Sequence, residues 1–300
     1  MAEETQSTIW ITGCAGFLGN RLAAHLASLG HSVIGLSRRK CSTAGHSIAI
    51  DLAATDTPET LDELIRDIGV PDVVVHAAAK QPGSGILSDF IRSNVQTTAN
   101  LLEAFKQKAP LRIIHTSTQS VYLRPAALPV KETDPVGGAL PYGATKRWAE
   151  QLMEGFQEHS QVVVLRLPSL YGAGQSDSFI DGLAQPALRG EPLELFSRGS
   201  LIRDALHVND LIGAITACLK RPLEKSFSVM NLGCGRLTKT YEYAEALVRA
   251  LESRSEIIPI DRPASQFDLY ADIEEARRFI GFEPMTLEQS MKIYANELRT

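Results

Sequence analysis

The sequence predicts a doubly wound α/β fold, in which helices cover both faces of a parallel sheet. Two observations predict it. Short apolar, largely β-branched runs alternate with helical patterns through the first half of the chain. These runs are apolar at consecutive positions, as in strands that are buried on both faces. Ligands of such folds bind at the carboxyl ends of the strands.

The elements follow from the pattern in chain order. Residues 8–12 form a β-branched run and predict a strand, and the helical pattern that follows ends at Gly30. The crossovers should be right-handed. The predicted strands are 8–12, 32–36, 72–76 and 111–116, and the predicted helices are 17–29, 60–68 and 89–106.

Beyond Arg166 the sequence pattern changes, because frequent glycine and proline residues divide the chain into short segments. We therefore expect two domains. The first domain spans 1–169, with returning segments near 204–232, and contains the predicted parallel sheet. A smaller α/β lobe, mainly for substrate, spans 170–300.

Composition excludes several classes of protein. The 300 residues are 44% hydrophobic and 22% charged, which is ordinary for a globular chain. A net charge of −5 provides no basic excess for nucleic acid, and no apolar run approaches the ~18 residues of a membrane span. The four scattered cysteines predict a reduced chain without a disulfide framework or metal site. The acidic residues 1–5 do not resemble a signal peptide, so we expect a cytoplasmic protein.

A glycine-rich turn follows the first predicted strand and opens the first helix. Glycine allows a tight turn and brings backbone N–H groups close to a pyrophosphate at the helix N-terminus. An ordinary strand–helix turn is the alternative, but the strand–turn–helix context favours dinucleotide binding. The residues concerned are Gly13, Gly16, Phe17, Leu18 and Gly19.

The end of the second strand bears on the choice of cofactor. An acid that binds the ribose hydroxyls is expected about 20 residues after the glycines, yet Ser37 stands there, followed by Arg38 and Arg39. Serine and arginine can bind a 2′-phosphate, so we expect NADP(H) in preference to NAD(H). A solvated loop is the alternative. Asp51 is a candidate partner of the adenine amino group, or else a turn or cap residue.

A hydroxyl, a tyrosine and a lysine form the candidate catalytic group. Tyr142 and Lys146 are four residues apart and share a helix face. A nearby ammonium should lower the pKa of the phenol below about 10, so that it exchanges a proton with a substrate oxygen. The segment 116–118, Thr-Ser-Thr, ends the predicted strand 111–116 and can supply a hydroxyl for the same oxygen.

Together these motifs resemble the extended short-chain dehydrogenases/reductases, of the NAD(P)-dependent epimerase/dehydratase type. The resemblance covers nearly the whole chain. Its ordered segments are Thr12–Gly19, His76–Ala79, Asn94–Thr98, Thr116–Tyr122, Tyr142–Lys146, Arg166–Gly172, Arg203–Asp210 and Asn231–Gly233.

The resemblance implies that residues 1–169 form a Rossmann-type NAD(P)-binding domain. It also implies roles for individual residues. Aligned on Val121 and Tyr122, the catalytic hydroxyl falls on Thr118, with Ser117 as the second candidate. Arg203 would contact a nucleotide-sugar diphosphate, or pair with Asp204, whereas His207 is expected to be a packed core residue. The other implied cofactor contacts are Leu52, His76, Ala77, Ala78, Ala79, Asn94, Thr116, Tyr142, Lys146, Leu167 and Pro168. The other implied substrate contacts are Lys80, Gln81, Thr118 and Gln119.

Departures from the family pattern narrow the function. Dehydratases of the family carry Asp-Glu after the threonine, whereas this chain has Gln119 and Ser120, so 4,6-dehydration is not expected. Leu123 replaces a frequent glycine.

The expected activity is hydride transfer at C4 of a nucleotide sugar, as an NADPH-dependent reductase or dehydrogenase. A 4-epimerase with tightly bound NAD is the first alternative, and a catalytically silent NADP-binding regulatory module is the second. The resemblance also implies a homodimer formed through helices 89–106 and 145–159, although their apolar residues could equally be core: Leu101, Leu102, Phe105, Trp148, Leu152 and Phe156.

Overall fold

The computed structural model describes residues 6–176, 178–263 and 265–299, so the expectation for residues 1–5 lies outside it. The chain divides into two compact units. Unit 1 comprises the residues up to Leu123, Pro135–Arg166 and Ile215–Met230, and unit 2 comprises Arg124–Asp134, Leu167–Ala214 and the residues from Asn231 onward.

The strands are β1 (Thr8–Thr12), β2 (Ser32–Ser37), β3 (His46–Ala49), β4 (Val73–His76), β5 (Arg112–Thr118), β6 (Gln161–Leu167), β7 (Ser169–Tyr171), β8 (Leu193–Leu195), β9 (Ala205–His207), β10 (Phe227–Asn231) and β11 (Ile257–Pro259). The helices are α1 (Phe17–Ser28), α2 (Thr57–Ile68), α3 (Leu87–Phe90), α4 (Thr97–Ala104), α5 (Tyr142–Gly155), α6 (Phe179–Arg189), α7 (Val208–Lys220), α8 (Thr240–Leu251), α9 (Glu274–Ile280) and α10 (Leu287–Arg299).

The sheet of unit 1 has seven strands in the order β10-β6-β5-β4-β1-β2-β3. Strand β1 runs parallel to both of its neighbours, β2 and β4. The chain first builds outward from β1 to β3 and then resumes on the other side at β4. The carboxyl ends of β1 and β4 therefore flank the point where the strand order reverses, which is where doubly wound sheets bind ligands. The predicted fold class is confirmed.

Burial on both faces explains why the strands are apolar throughout. Ile9, Trp10 and Ile11 of β1 are fully buried, and the Trp10 ring packs against Phe105 with 5.7 Å between ring centroids. The same core takes in α2 and α4 through Leu61 and neighbouring apolar side chains. This packing fixes the strand ends that carry the candidate site.

Several elements differ from their predicted bounds or were not predicted. Strand β5 runs two residues further than predicted, because Ser117 and Thr118 are buried in extended backbone. The predicted helix 89–106 is a helical run that begins with α3 and passes through a wider π-helical segment, Ile91–Gln96, into α4. Strand β3 was not predicted, because this edge strand has only four residues and two of them are polar.

Unit 2 has its own small sheets and core. Strand β7 pairs with β9, and β8 pairs with β11, both in parallel. Helices α8 and α10 pack together around a buried aromatic cluster. That cluster includes Tyr171, Tyr243 and Tyr294.

The expectation of reduced cysteines without disulfide bonds is wrong for one pair. Cys14, in the turn after β1, forms a disulfide with Cys41, which lies beyond β2. The two residues are 27 positions apart and meet only because β1 and β2 are adjacent parallel strands, so sequence spacing gives no signal. Cys218 and Cys234 are free thiols.

Among the described residues, no helix is both long and apolar enough to cross a membrane.

Candidate active site

The glycine turn lies against the segment that follows β4. Gly13 has a φ of +69°, and a Cβ atom on it would come within 2.9 Å of the Ala78 backbone nitrogen. A Cβ on Gly19 would overlap the Gly13 carbonyl oxygen. Only glycine fits these two positions. Helix α1 begins directly after the turn, so its free N–H groups face the end of β1, as a pyrophosphate site requires.

Thr12 ties the turn to the end of β4. Its Oγ1 accepts bonds from the backbone N–H groups of Ala77 and Ala78, each at 3.1 Å. It also lies 2.8 Å from Nδ1 of His76. The Thr12 side chain thereby fixes segment 77–79 beside the glycines. The sequence had indicated Thr12 only as a part of the turn.

The hydrogen bonds of His76 define its protonation state. Thr98 donates its hydroxyl to the Asn94 carbonyl oxygen, so it must accept from Nε2 of His76 at 3.0 Å. Nδ1 then accepts from Thr12. Burial, with a smaller contribution from Lys146, lowers the pKa of His76 to about 3. The ring is neutral, and both of its nitrogens hydrogen-bond to threonine side chains. Any contact between His76 and a cofactor is therefore made by the His76 backbone.

The end of β2 and the loop after it carry the predicted 2′-phosphate residues. Ser37 is buried and donates its hydroxyl to the Arg39 carbonyl oxygen at 2.5 Å. Arg38, Arg39 and Lys40 are exposed. No acidic side chain occupies the end of β2. The loop therefore offers cations and a hydroxyl oxygen in the place where a ribose-binding acid would stand.

Asp51 has two partners in unit 1. One carboxylate oxygen accepts from the backbone N–H of Ala53 at 3.2 Å, which makes it a turn residue. The other accepts from the Arg92 guanidinium at 2.8 Å. Leu52, expected near the cofactor, has its side chain in the core, and its carbonyl oxygen accepts from Asn100.

Thr118 and Tyr142 meet at the carboxyl end of β5. Tyr142 is the first residue of α5, and the Thr118 hydroxyl hydrogen-bonds to its phenol. The phenol donates in turn to the Gln81 side-chain oxygen at 3.4 Å. Three of the predicted site residues are thus brought together, from β5, α5 and the loop after β4.

Gly143 sets the position of α5 beside β5. A Cβ atom at this glycine would overlap the Ser120 carbonyl oxygen. The first turn of α5 can therefore approach the end of β5 closely enough for Tyr142 to reach Thr118.

Lys146 is buried one turn further along α5. Its ammonium donates to the Thr116 carbonyl oxygen at 2.6 Å and lies 3.4 Å from Nε2 of His115. Burial lowers the pKa of Lys146 to about 8, while the charge of Glu150 acts in the opposite direction. The amine therefore titrates close to neutrality.

The expectation that Lys146 lowers the pKa of Tyr142 is not met in this arrangement. Burial raises the pKa of the Tyr142 phenol to about 12, and only the hydrogen bond with Thr118 opposes this. The physical reason is the direction of the lysine, whose hydrogen bonds run to Thr116 and His115 on β5. Tyr142 is a proton donor at neutral pH.

A buried charge network lies behind the site. Ser117 donates its hydroxyl to Glu150 at 2.5 Å, and Arg166 contacts both Glu150 oxygens, at 3.1 and 2.9 Å. Arg166 also donates to the Tyr122 hydroxyl and lies over its ring. Arg147 contacts Glu150 from the partly exposed side. The network fixes α5 against the ends of β5 and β6.

Asn94 joins the loop after β4 to α5. Its side-chain oxygen accepts from the Lys80 backbone N–H at 2.7 Å, and its amide donates to Thr145 at 3.1 Å. Thr116 donates to the His76 carbonyl oxygen. These side chains, predicted to touch the cofactor, hold the walls of the site in this structure. Gln119 is buried next to Thr118.

Leu167, Pro168 and Arg203 belong to unit 2. The Arg203 guanidinium lies over the Phe179 ring, 5.3 Å from its centroid. The Asp204 carboxylate accepts backbone N–H groups from Cys234 and Ala271, and its charge opposes the lowering of the Arg203 pKa that burial causes.

His207 is fully buried, and its ring meets the edge of Tyr171. The expectation of a packed histidine is confirmed.

Sequence reasoning missed Glu150 and His115. Glu150 follows Lys146 by four residues, so helical spacing places both on one face, and an acid at that spacing from a candidate catalytic lysine is a usable signal. His115 lies in an otherwise apolar strand, and a buried polar residue in such a strand is expected to have a hydrogen-bond partner.

Comparison with known proteins decides the family. The model of the NAD dependent epimerase/dehydratase family matches residues 9–233. The chain belongs to this family. It is accordingly an enzyme of the extended short-chain dehydrogenase/reductase type, and the seven-stranded parallel sheet is the Rossmann-type sheet of the family.

Relatives and solved structures match this chain over most of its length. A UDP-glucose 4-epimerase of Azospirillum brasilense is 29% identical, over 95% of this chain and 90% of its own. The structure of MoeE5 in complex with UDP-glucose and NAD has a TM-score of 0.82 at 28% identity, covering 97% of this chain and 98% of that one. The UDP-glucuronic acid 4-epimerase of Bacillus cereus, in complex with NAD, has a TM-score of 0.82 at 25% identity, with the same coverage.

Proposed function

We propose that this enzyme is a nucleotide-sugar 4-epimerase, which oxidises the C4 hydroxyl of a UDP-hexose and reduces the resulting ketone from the other face. The observation that carries the proposal is the Thr118–Tyr142 hydrogen bond, with Lys146 buried one turn away on the same helix. Relatives that share 25–29% of its residues are UDP-sugar 4-epimerases, which supports this choice of substrate.

The residues of unit 1 fit a nicotinamide dinucleotide. The turn formed by Gly13, Gly19 and the N-terminus of α1 would hold its pyrophosphate, because the two glycines let the turn pack directly against neighbouring backbone and the first N–H groups of α1 lie beside it. Lys146 would bind the nicotinamide ribose. The nicotinamide ring supplies the hydride acceptor and donor when the dinucleotide is bound.

The chain's own residues move the proton. The Tyr142 phenol is protonated at neutral pH, so the oxidising direction requires it to lose that proton first. The phenolate then takes the proton of the C4 hydroxyl, and in the reducing direction the phenol returns it to the ketone oxygen. The Thr118 hydroxyl donates a hydrogen bond to the same oxygen and orients it. In this structure the Gln81 side-chain oxygen accepts a hydrogen bond from the phenol, so a substrate oxygen must displace the Gln81 amide.

For the cofactor we propose NADP(H). Ser37, Arg38 and Arg39 supply a hydroxyl and two cations where a ribose-binding acid would repel a 2′-phosphate. MoeE5 and the Bacillus cereus enzyme were solved with NAD, which favours the other dinucleotide. The choice therefore rests on this loop alone.

A reductase of 4-keto nucleotide sugars is the second candidate, and the same loop favours it. An epimerase retains its dinucleotide through the cycle, whereas a reductase must exchange it at each turnover.

We also propose a homodimer through α5. Trp148 and Leu152 on this helix are 40% and 36% exposed. The other apolar residues considered for that contact are core, as expected for most of them: Leu101, Leu102, Phe105 and Phe156. Equilibrium sedimentation of the Trp148→Glu variant beside the unaltered protein tests it.

The test of function begins with the purified protein. It is denatured, the released dinucleotide is identified, and the native enzyme is incubated with UDP-glucose and UDP-glucuronate while the C4 epimer is followed by proton NMR. We expect epimer with the unaltered enzyme and none with Tyr142→Phe. Epimer from both proteins, or from neither, contradicts the epimerase. Product formed only when stoichiometric NADPH and a 4-keto sugar are supplied favours the reductase.

A further inference from the structure

We propose that His115 is a positioning residue, which holds the Lys146 ammonium by accepting one of its N–H bonds with a neutral imidazole. The proposal rests on the role of Lys146 and Tyr142 in the proposed function. Nothing in the family resemblance or in the motifs points to this histidine.

The geometry allows Lys146 only one free N–H. An ammonium carries three donors. One points to the Thr116 carbonyl oxygen at 2.6 Å and a second to Nε2 of His115 at 3.4 Å. Two neighbouring residues of β5 thus fix the ammonium on two sides. The third N–H is left for a ligand, in a direction set by the first two.

The surroundings keep His115 neutral. It is buried, and the groups that act on its charge are Lys146 on α5 and His76 on β4. The His76 ring is stacked on it at 5.3 Å between centroids. Burial and both of these neighbours lower the pKa of His115 well below its usual value. The remaining charged group near the lysine is Glu150, and the phenol of Tyr142 stands one turn away.

The tautomer follows from the contact. Because Nε2 accepts from Lys146, the single imidazole proton resides on Nδ1. Nδ1 is buried, and no hydrogen-bond partner for it exists among the residues that the structure describes. A proton taken from Lys146 would have no onward acceptor, which excludes a relay through this ring. An unpaired buried N–H is unfavourable for stability, so a purely structural ring here would be better as phenylalanine.

The first experiment needs no substrate. The protein is labelled with ¹⁵N-histidine and with lysine carrying ¹³C at Cε. The His115 tautomer is read from the ring nitrogen shifts, and the pKa of Lys146 from its ¹³Cε shift, assigned with His115→Phe and Lys146→Arg. We expect a neutral His115 with its proton on Nδ1 from pH 6 to 9. The opposite tautomer, or a charged ring at pH 7, would overturn the proposal.

Variants test the consequence. His115→Phe keeps a ring against His76 but lacks the acceptor, and should lower the pKa of Lys146 by about one unit, the usual scale of environmental shifts. His115→Gln restores an acceptor and should recover most of that shift. His159→Gln, at an exposed histidine, is the matched control. An unchanged Lys146 pKa in a folded His115→Phe protein refutes the idea.

Turnover gives an independent readout. The alkaline limb of kcat should move to lower pH in His115→Phe, with the substrate KM changed less than twofold, since the ring does not face the sugar in the proposed mechanism. If kcat falls at every pH and the alkaline limb of its pH profile does not move, His115 has a structural role only. If the unaltered enzyme converts no nucleotide sugar, the proposed function fails, whereas the NMR measurements still decide the role of His115.

Discussion

Ser117 donates its hydroxyl to Glu150 at 2.5 Å, in the interior of unit 1. This bond distinguishes two hydroxyls that the sequence left as alternatives. The Ser117 hydroxyl serves a buried carboxylate, whereas the Thr118 hydroxyl contacts the Tyr142 phenol. Adjacent residues in a strand face opposite sides of the sheet, which is why only one of them reaches the site.

The first prediction separates these two hydroxyls. Thr118→Val should lower kcat about 10²–10³-fold, the cost of removing one donor from a developing oxyanion, and should lower stability by about 1 kcal/mol because the Ser120 N–H loses its acceptor. Ser117→Ala should instead lower the free energy of unfolding by about 1–3 kcal/mol, because Glu150 loses a buried donor. Steady-state kinetics and urea denaturation of both variants measure this. The reverse pattern would assign catalysis to Ser117.

The second prediction concerns the buried pair of Glu150 and Arg166. Glu150→Gln should destabilise the protein by about 3–5 kcal/mol, because it leaves the Arg166 guanidinium buried without its carboxylate. It should also lower the pKa of Lys146 further, since Glu150 raises it. Urea denaturation checks the first effect. In the matched control, Glu150→Leu with Arg166→Met, both charges are absent, and stability should exceed that of Glu150→Gln. A double variant that is the less stable of the two would contradict the desolvation argument.

The third prediction is acid sensitivity from His76. Its pKa is about 3 in the folded protein, against an ordinary 6.5. Between these pH values the unfolded chain binds a proton that the folded chain does not, so stability must fall as the pH is lowered from 6.5 towards 3. At about 1.4 kcal/mol per unit, the loss approaches about 5 kcal/mol at pH 3.

Urea midpoints at pH 7, 5.5 and 4.5 measure this loss. His76→Gln should flatten the dependence, even though its stability at pH 7 is lower because Thr12 and Thr98 lose a partner. His159→Gln, at an exposed position, should leave the slope as it is. Equal slopes in the unaltered protein and in His76→Gln would show that this ring does not control acid unfolding.

The sequence predicted those parts of the fold and of the candidate site that depend on local spacing. Alternating apolar runs and helices determine the sheet, and a four-residue interval places Tyr142 and Lys146 together on α5. Contacts between elements that are distant in the sequence could not be predicted. The Cys14–Cys41 bond, the His76–His115 stack and the Ser117–Glu150 bond each join separate elements. The pKa of Tyr142 was mispredicted because burial outweighs a lysine that bonds elsewhere.

The fourth prediction addresses the cofactor loop. Ser37→Asp should weaken NADPH binding about tenfold or more, because a carboxylate at the end of β2 repels a 2′-phosphate, and should leave NADH binding equal or tighter. Fluorescence titration with both dinucleotides measures the ratio. Lys131→Ala, an exposed lysine of unit 2, is the control for a general change of charge. An unchanged ratio in Ser37→Asp would remove the argument for NADP(H).

The fifth prediction concerns the bond between Cys14 and Cys41, which closes a loop over a separation of 27 residues. Cross-linking a loop of that length restricts the unfolded chain and should stabilise the protein by about 3–4 kcal/mol. Urea denaturation with and without dithiothreitol measures the difference. In Cys14→Ser, where no such bond can form, dithiothreitol should have no effect on the midpoint.

Thiol titration of the denatured protein should find only the two free cysteines before reduction and all four afterwards. Four thiols without reductant would contradict the bond. Because Cys14 lies in the glycine turn, an intact bond also ties the cofactor cradle to the loop that carries Ser37–Lys40, and reduction should therefore weaken dinucleotide binding along with stability.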